Sequence, residues 1–339
     1  MSIENYATYR EIKSQTKAWQ TALDVANAIV LPDAAGYDQV IFTGCGSTYY
    51  LSLAAASLYQ ELTGRAARAV PAGELLLNPQ TALRENIPHL LVAISRSGTT
   101  TETTRVAEKF QAEHRGHVMV ITNYDTALAN LGDVSLVITS GQEESVAQTR
   151  SFASMYVAAT VSCARMAGRD DLLDTMGKLP EIGNRLISEY ESFAKEIGEN
   201  LNFDRFYFLG SGIRYGLACE VNLKMKEMTL THSEPFHFLE FRHGPMSMVN
   251  EKGVVVGLLS ESNFSHEKAV LNEMQALGGK TVALAESEAD ISFESQIPES
   301  ARGVLYLPVL QLMAFYRSLT KGLNPDRPKN LTAVVQLNM

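Results

Sequence analysis

Two loop signatures recur at nearly one spacing, which restricts this chain to folds built from a unit used twice. Gly44, Gly46 and Tyr49 return at Gly210, Gly212 and Tyr215, each 166 positions on, and Ser95 and Ser97 return at Ser260 and Ser262, 165 positions on. Small residues often match by chance, but two separate loops doing so at a shared offset mark a duplication. Each signature also closes a short apolar run. Residues 39–43 lead into Gly44-Cys45-Gly46-Ser47-Thr48, and residues 89–94 into Ser95-Arg96-Ser97-Gly98-Thr99-Thr100. In the second half, 205–209 lead into Gly210-Ser211-Gly212 and 254–259 into Ser260-Glu261-Ser262.

Between these runs lie helical stretches, to about 63, over 102–113 and over 149–166, with further strands expected at 118–122 and 134–138. Apolar strands alternating with helices predict α/β architecture: parallel sheets covered on both faces, doubly wound, two in tandem. The expected divisions are an N-terminal helical segment (1–27), a first domain (28–168), a helical connector (169–198), a second domain (199–325) and a C-terminal tail (326–339). The segment 9–25 is amphipathic and holds the only tryptophan, Trp19, so it is expected to pack on a domain.

Bulk properties remove several function classes. The 339 residues suffice for two domains with cores of their own, and 45% hydrophobic with 20% charged residues suits a soluble globular protein. A net charge of −9 without a basic stripe argues against a nucleic-acid partner. No apolar run approaches the roughly 18 residues needed to span a bilayer, and the N-terminus has no signal-like stretch. Cys45, Cys163 and Cys219 are too scattered for a disulfide framework or a metal site. A cytoplasmic protein without metal or cofactor is expected. Cys45, inside the glycine turn, reads better as a small turn residue than as a nucleophile.

The stretch 95–100 lies between a strand and a helix start, where open parallel sheets bind ligands and where free N–H groups and the helix dipole favour an anion. Ser95, Ser97 and Thr100 offer hydroxyls, and Gly98 allows close backbone approach. Plain helix capping would use the same residue types. The second copy argues for a specialised first one: Glu261 stands in place of Arg96, no glycine matches Gly98, and a phosphate would be repelled.

Acid–base candidates collect in the second half. After the second glycine turn, residues 215–230 form a good helix in which Glu220, Lys224 and Glu227 share one face. Such spacing also suits a salt-bridged solvent face. Against that, Glu227 lies between Met225 and Met228, and the helix begins at a ligand-type turn. Further on, Glu240-Phe241-Arg242-His243-Gly244-Pro245 crowds acid, base and imidazole into a segment that Gly and Pro turn sharply. Histidine can open a sugar hemiacetal and a carboxylate can move a proton between adjacent carbons. A histidine with a purely structural role is the alternative.

Together these motifs (GCGST, SRSGTT, SVAQTRSF, KMKE and FRHGP, in that order after REIKSQ) resemble the SIS, or sugar isomerase, family over nearly the whole chain. The isomerase half of glucosamine-6-phosphate synthase is the nearest analogy, with amino-sugar-6-phosphate deaminases and AgaS-type ketose/aldose isomerases as stand-alone relatives. The resemblance implies two flavodoxin-like SIS domains, a homodimer with composite sites, and a sugar-phosphate substrate. By it, Gly46, Ser47, Thr48, Ser95, Arg96, Ser97 and Thr100 match the phosphate cradle, and Val146 and Gln148 the sugar-lining loop. Glu227 matches the enediol base, with Lys224 and Glu220 supporting it, and His243 the ring-opening histidine supplied by the neighbouring subunit. No glutaminase domain precedes the pair, so glutamine-driven amination is not expected. Ala333 stands where relatives carry a tail lysine, and Lys329 is four positions upstream. The expected activity is isomerisation or deamination of an amino-sugar 6-phosphate. Deglycation of an Amadori phosphate is the alternative enzyme, and a non-catalytic sugar-phosphate sensor the alternative of another class.

Overall fold

The computed structural model describes residues 2–85 and 87–337, which form two compact units. The first comprises residues 14–143, 148–177 and 332 onward, and the second the N-terminal segment to 13, residues 144–147 and residues 178–331. Helix α1 (Ala7–Ala28) opens the chain. It is followed by β1 (Gln39–Gly44), α2 (Ser47–Thr63), β2 (Ala67–Pro71), α3 (Ala72–Leu77) and β3 (His89–Ser95). Then come α4 (Thr101–Ala112), β4 (Gly116–Thr122), β5 (Val134–Val137), α5 (Arg150–Met166) and α6 (Asp170–Met176). The second unit continues with α7 (Leu179–Glu189), α8 (Glu191–Glu199), β6 (Arg205–Leu209), α9 (Ile213–Thr229), β7 (His232–Phe236) and α10 (Phe238–Phe241). It ends with β8 (Gly253–Leu258), α11 (Phe264–Ala276), β9 (Lys280–Ala285), β10 (Ile291–Ser292) and α12 (Leu307–Thr320).

Each unit contains one five-stranded parallel sheet, in the orders β2-β1-β3-β4-β5 and β10-β9-β8-β6-β7. Numbered within its own repeat, each sheet reads 2-1-3-4-5, the flavodoxin-like order, so the doubly wound α/β expectation holds. β1, β3 and β8 are buried along their whole length, as central strands covered on both faces must be. The first sheet packs Ile41, Leu91 and Val120 with Val106 and Phe110 of α4. The second packs Leu209, Val255 and Ala283 with Val270 and Met274 of α11.

The duplication is visible in local geometry. Gly46 and Gly212 both precede the helix with positive φ (56° and 57°), and α2 and α9 both run 17 residues. A Cβ on Gly44 would lie 2.4 Å from Thr48 Oγ1, and one on Gly210 would lie 2.4 Å from the Arg214 carbonyl oxygen, at matching positions of the repeat. Only glycine lets the helix start fold back this closely on the strand end.

Several elements escaped the sequence reading. Edge strands β2 and β7 are short and partly exposed, and both carry proline, which is tolerated at a sheet edge. The connector expected as a continuous helical run breaks at Tyr190 between α7 and α8. There Glu191 is bound by Tyr9, Tyr316 and Lys13. Trp19 is fully buried, as the amphipathic pattern required. Among the described residues, no helix is long and apolar enough to cross a membrane.

Candidate functional site

The loop between β3 and α4 is a hydroxyl-lined turn with a helix start behind it. Ser95 Oγ accepts the Gly98 N–H at 3.2 Å and Ser97 Oγ accepts the Thr99 N–H at 3.2 Å. Thr100 stands at the N-cap of α4, yet its side chain does not cap that helix. Its Oγ1 lies 3.4 Å from Ser95 Oγ instead. Ser95 and Ser97 thus serve backbone donors of the turn itself, and only Thr100 leaves its capping role unused. Gly98 has φ +64°, and a Cβ there would come 2.3 Å from Thr126 Oγ1. Gly98→Val is expected to lower stability by roughly 1–3 kcal/mol in urea denaturation, through left-handed strain and this clash. An unchanged midpoint would contradict the stated geometry.

Two cradle candidates are engaged within the protein. Thr48, 3% exposed, accepts the Cys45 N–H at 2.9 Å through its hydroxyl and lies 3.0 Å from the Cys45 carbonyl. Arg96 is buried, donates to the Ala333 carbonyl at 2.8 Å and lies 3.7 Å from Glu143. Ser47 opens α2, and Gly46 is exposed at its N-cap. Burial pushes the Cys45 thiol up to about 11, which suits a turn residue and not a nucleophile.

The second copy of the loop is filled from within. The Glu299 carboxylate accepts the N–H groups of Glu261 (3.0 Å) and Ser262 (3.3 Å) and pairs with Arg214. Glu267 accepts the Ser260 N–H at 2.6 Å, and burial raises its pKa. Glu261 itself turns to Arg302 at 2.6 Å. Asn263, at the position of Gly98, keeps a negative φ of −123°. Internal carboxylates thus take backbone donors of the second turn. Sequence reading found the divergence but missed Glu299, whose irregular surroundings carry no periodic signal.

On α9 the three candidates form one cluster. Lys224, 1% exposed, places Nζ 2.5 Å from Glu227 Oε2 and 3.5 Å from Glu220 Oε1. Glu220 is fully buried, whereas the Glu227 side chain is 20% exposed. This is not a solvent-face salt bridge. It is a buried lysine that orients a carboxylate whose free edge reaches the surface of the unit. In α2 the matching positions are Ala54, Leu58 and Glu61, so the first copy lacks both the buried acid and the lysine.

The turn after α10 departs from the crowded acid–base arrangement its sequence suggested. Arg242 points to Glu273 of α11 through two hydrogen bonds of 2.8 and 2.6 Å. Gly244 takes φ 122°, and His243 is left exposed at the turn. Among the described residues, no hydrogen bond or ion pair joins His243 to Glu227. His237 stacks on Tyr215 at the start of α9, ring centroids 3.9 Å apart, and burial lowers its pKa toward the neutral imidazole.

The segment before α5 contains both remaining candidates. Glu143 caps that helix: its carboxylate accepts Thr149 N–H and Oγ1 at 2.8 Å each and also the Ser151 hydroxyl. Gln148 belongs to the first unit and Val146 to the second.

A tandem of doubly wound sheets, with a hydroxyl-lined turn in one copy and a buried acid–base cluster in the other, places the chain among the flavodoxin-like α/β proteins. The SIS domain matches residues 35–165 and 202–319, and the chain belongs to that family. The glutamine–fructose-6-phosphate aminotransferase (isomerizing) of Pyrococcus horikoshii is 31% identical over 346 residues, covering 96% of this chain and 57% of the relative. That of Sulfolobus acidocaldarius is 29% identical, covering 98% and 55%. The chain thus spans about half the length of these relatives. Among solved structures, glucosamine-6-phosphate deaminase from Thermotoga maritima is similar at a TM-score of 0.81, with 26% identity, covering 98% of this chain and 100% of that one. The tagatose-6-phosphate ketose/aldose isomerase from Escherichia coli shares the fold at a TM-score of 0.86, with 23% identity, covering 98% and 97%.

Proposed function

We propose that this chain is a phosphosugar isomerase that moves a proton between C1 and C2 of an amino-sugar 6-phosphate, with ammonia released as the net outcome. The observation that carries it is the division of chemistry between the two copies. The first retains a hydroxyl-lined turn, while the second has filled that turn with Glu299 and placed Lys224 and Glu227 on its helix. The names of the relatives, which act on hexose 6-phosphates and their amines, support the substrate class.

In this scheme the phosphate is held by Ser95, Ser97 and Thr100, with Gly46 and Ser47 as the neighbouring wall. Thr48 and Arg96 hold the loops in shape. Val146 and Gln148 line the sugar. His243 relays the proton of the anomeric hydroxyl to the ring oxygen as the C1–O5 bond breaks, giving the open aldehyde. Glu227 then takes the C2 proton, and the electron pair passes through an aminoenol. The proton returns to C1, leaving an imine at C2. Water adds to that carbon, the C–N bond breaks, and ketose phosphate and ammonia leave. The carbonyl acidifies its own neighbouring C–H, so the proton transfer needs no metal or organic cofactor. Lys224 keeps Glu227 oriented, and Glu220 balances the lysine charge.

The test is an assay for ammonia and for ketose formation across hexosamine 6-phosphates and Amadori phosphates. Ammonia with ketose phosphate supports deamination, and ketose without ammonia supports simple isomerisation. Release of an amino acid from an Amadori phosphate would favour deglycation, and tight binding without turnover would favour a sensor.

His243 is proposed to serve the site of a neighbouring subunit in a homodimer, which its exposed position on the turn supports. Mixing inactive His243→Ala and Glu227→Gln chains is then expected to restore about a quarter of the parent activity. Half the dimers are mixed, and each of those holds one intact composite site. Mixtures that remain inactive after confirmed subunit exchange would discard the shared site.

One phosphosugar per chain is expected by calorimetry, because Glu299 already occupies the second turn. A stoichiometry of two would contradict that assignment.

A further inference from the structure

Residues 144–147 are held by a carboxylate more than a hundred positions away. Glu11, on the first turns of α1 and 3% exposed, accepts the Glu144 N–H at 2.6 Å and the Ser145 N–H at 3.3 Å through Oε1. Its Oε2 accepts the Ser145 hydroxyl. The next N–H, that of Val146, donates to the Asp326 carbonyl at 2.9 Å. Asp326 in turn anchors the helix that carries Glu11. Its carboxylate accepts Ala7 N–H (2.9 Å), Thr8 N–H (2.8 Å) and Thr8 Oγ1 (2.7 Å) at the start of α1. A carboxylate at that end of a helix satisfies orphan donors and meets the positive end of the dipole. Three consecutive backbone N–H groups of the loop are therefore held from outside it, while the Ser145 hydroxyl also reaches the Ala147 carbonyl at 2.9 Å.

We propose that Glu11 is a positioning residue that sets the conformation of the 144–147 loop and thereby the fit of the sugar, with Asp326 as its foundation. This rests on Val146 facing the sugar, as proposed above. A buried carboxyl group that accepts from several donors through both oxygens imposes a geometry that an amide cannot reproduce, because an amide offers one acceptor oxygen and adds donors. Loosening the loop should therefore cost affinity for the sugar but not for the phosphate alone, which the Ser95 turn holds.

The experiment compares parent, Glu11→Gln and Ser145→Ala. The second variant removes only a hydroxyl donor and guards against a folding defect in the first. Hydrogen exchange is expected to accelerate at the amides of Glu144, Ser145 and Val146 in Glu11→Gln. The Kd for glucosamine-6-phosphate should rise about tenfold while that for inorganic phosphate stays within about twofold. Ser145→Ala should show the same pattern, weaker. If turnover is present, KM should carry the change and kcat little of it. Equal weakening of both ligands would indicate a general structural role and overturn the proposal. So would unchanged exchange in both variants. Faster exchange with unaltered phosphosugar affinity would overturn the positioning role while leaving proton transfer by Glu227 intact. A parent protein that binds the phosphosugar no better than phosphate would refute the sugar-facing loop, and this inference with it.

Discussion

Glu227→Gln is expected to lower turnover of a phosphorylated amino sugar by roughly 10²- to 10⁴-fold, the range for removing a general acid–base group. Glutamine keeps the shape of the side chain and can still accept from Lys224, 2.5 Å away in the parent. Folding and substrate affinity should therefore be nearly unchanged, with KM within about threefold of the parent. The loss should appear in kcat and in exchange of the C2 hydrogen with solvent, which tracks proton abstraction directly. Turnover and exchange equal to the parent would eliminate Glu227 as the base. Loss of phosphosugar affinity without loss of kcat would make it a binding group.

The second large effect concerns stability. Lys224→Met removes the ammonium that lies between a fully buried Glu220 and the partly exposed Glu227. Removing one member of a buried ion pair leaves a charge without its partner, so a loss of roughly 3–5 kcal/mol is expected in denaturant titration. The double variant Glu220→Leu with Lys224→Met should recover most of it, since apolar replacement of both members is often neutral or better. That double variant separates folding from chemistry: a stable but inactive protein would show that the cluster is retained for Glu227. A single variant as stable as the parent would mean that the pair contributes no net attraction.

The difference between these two variants reflects what could be read from the chain and what could not. The alternation of apolar runs with helices and the paired offsets of 166 and 165 were enough for the tandem doubly wound architecture, because central parallel strands must be apolar on both faces. β2, β7, β9 and β10 went unread, being short, edge-placed or weakly patterned. The spacing of Glu220, Lys224 and Glu227 placed them on one helical face, but the same spacing suits a solvated salt bridge. Only burial distinguished the two. The crowded Glu240–Arg242–His243 segment separated in three dimensions when Arg242 turned to Glu273.

Local chemistry along the chain determined the repeat, the strand and helix order, and the glycines whose positive φ forms the turns. It also showed which copy had diverged, since Glu261 and the missing glycine were plain in the sequence. Tertiary structure alone decided that Glu299 fills the spent turn, that Thr48 is closed on its own turn and Arg96 on Glu143 and Ala333, and that Glu11 fixes the Glu144–Ala147 loop. The physical reason is range. Backbone conformation follows from neighbours a few residues away, whereas the carboxylates of Glu299 and Glu11 are satisfied by donors that only the fold brings to them, 37 to 134 positions distant.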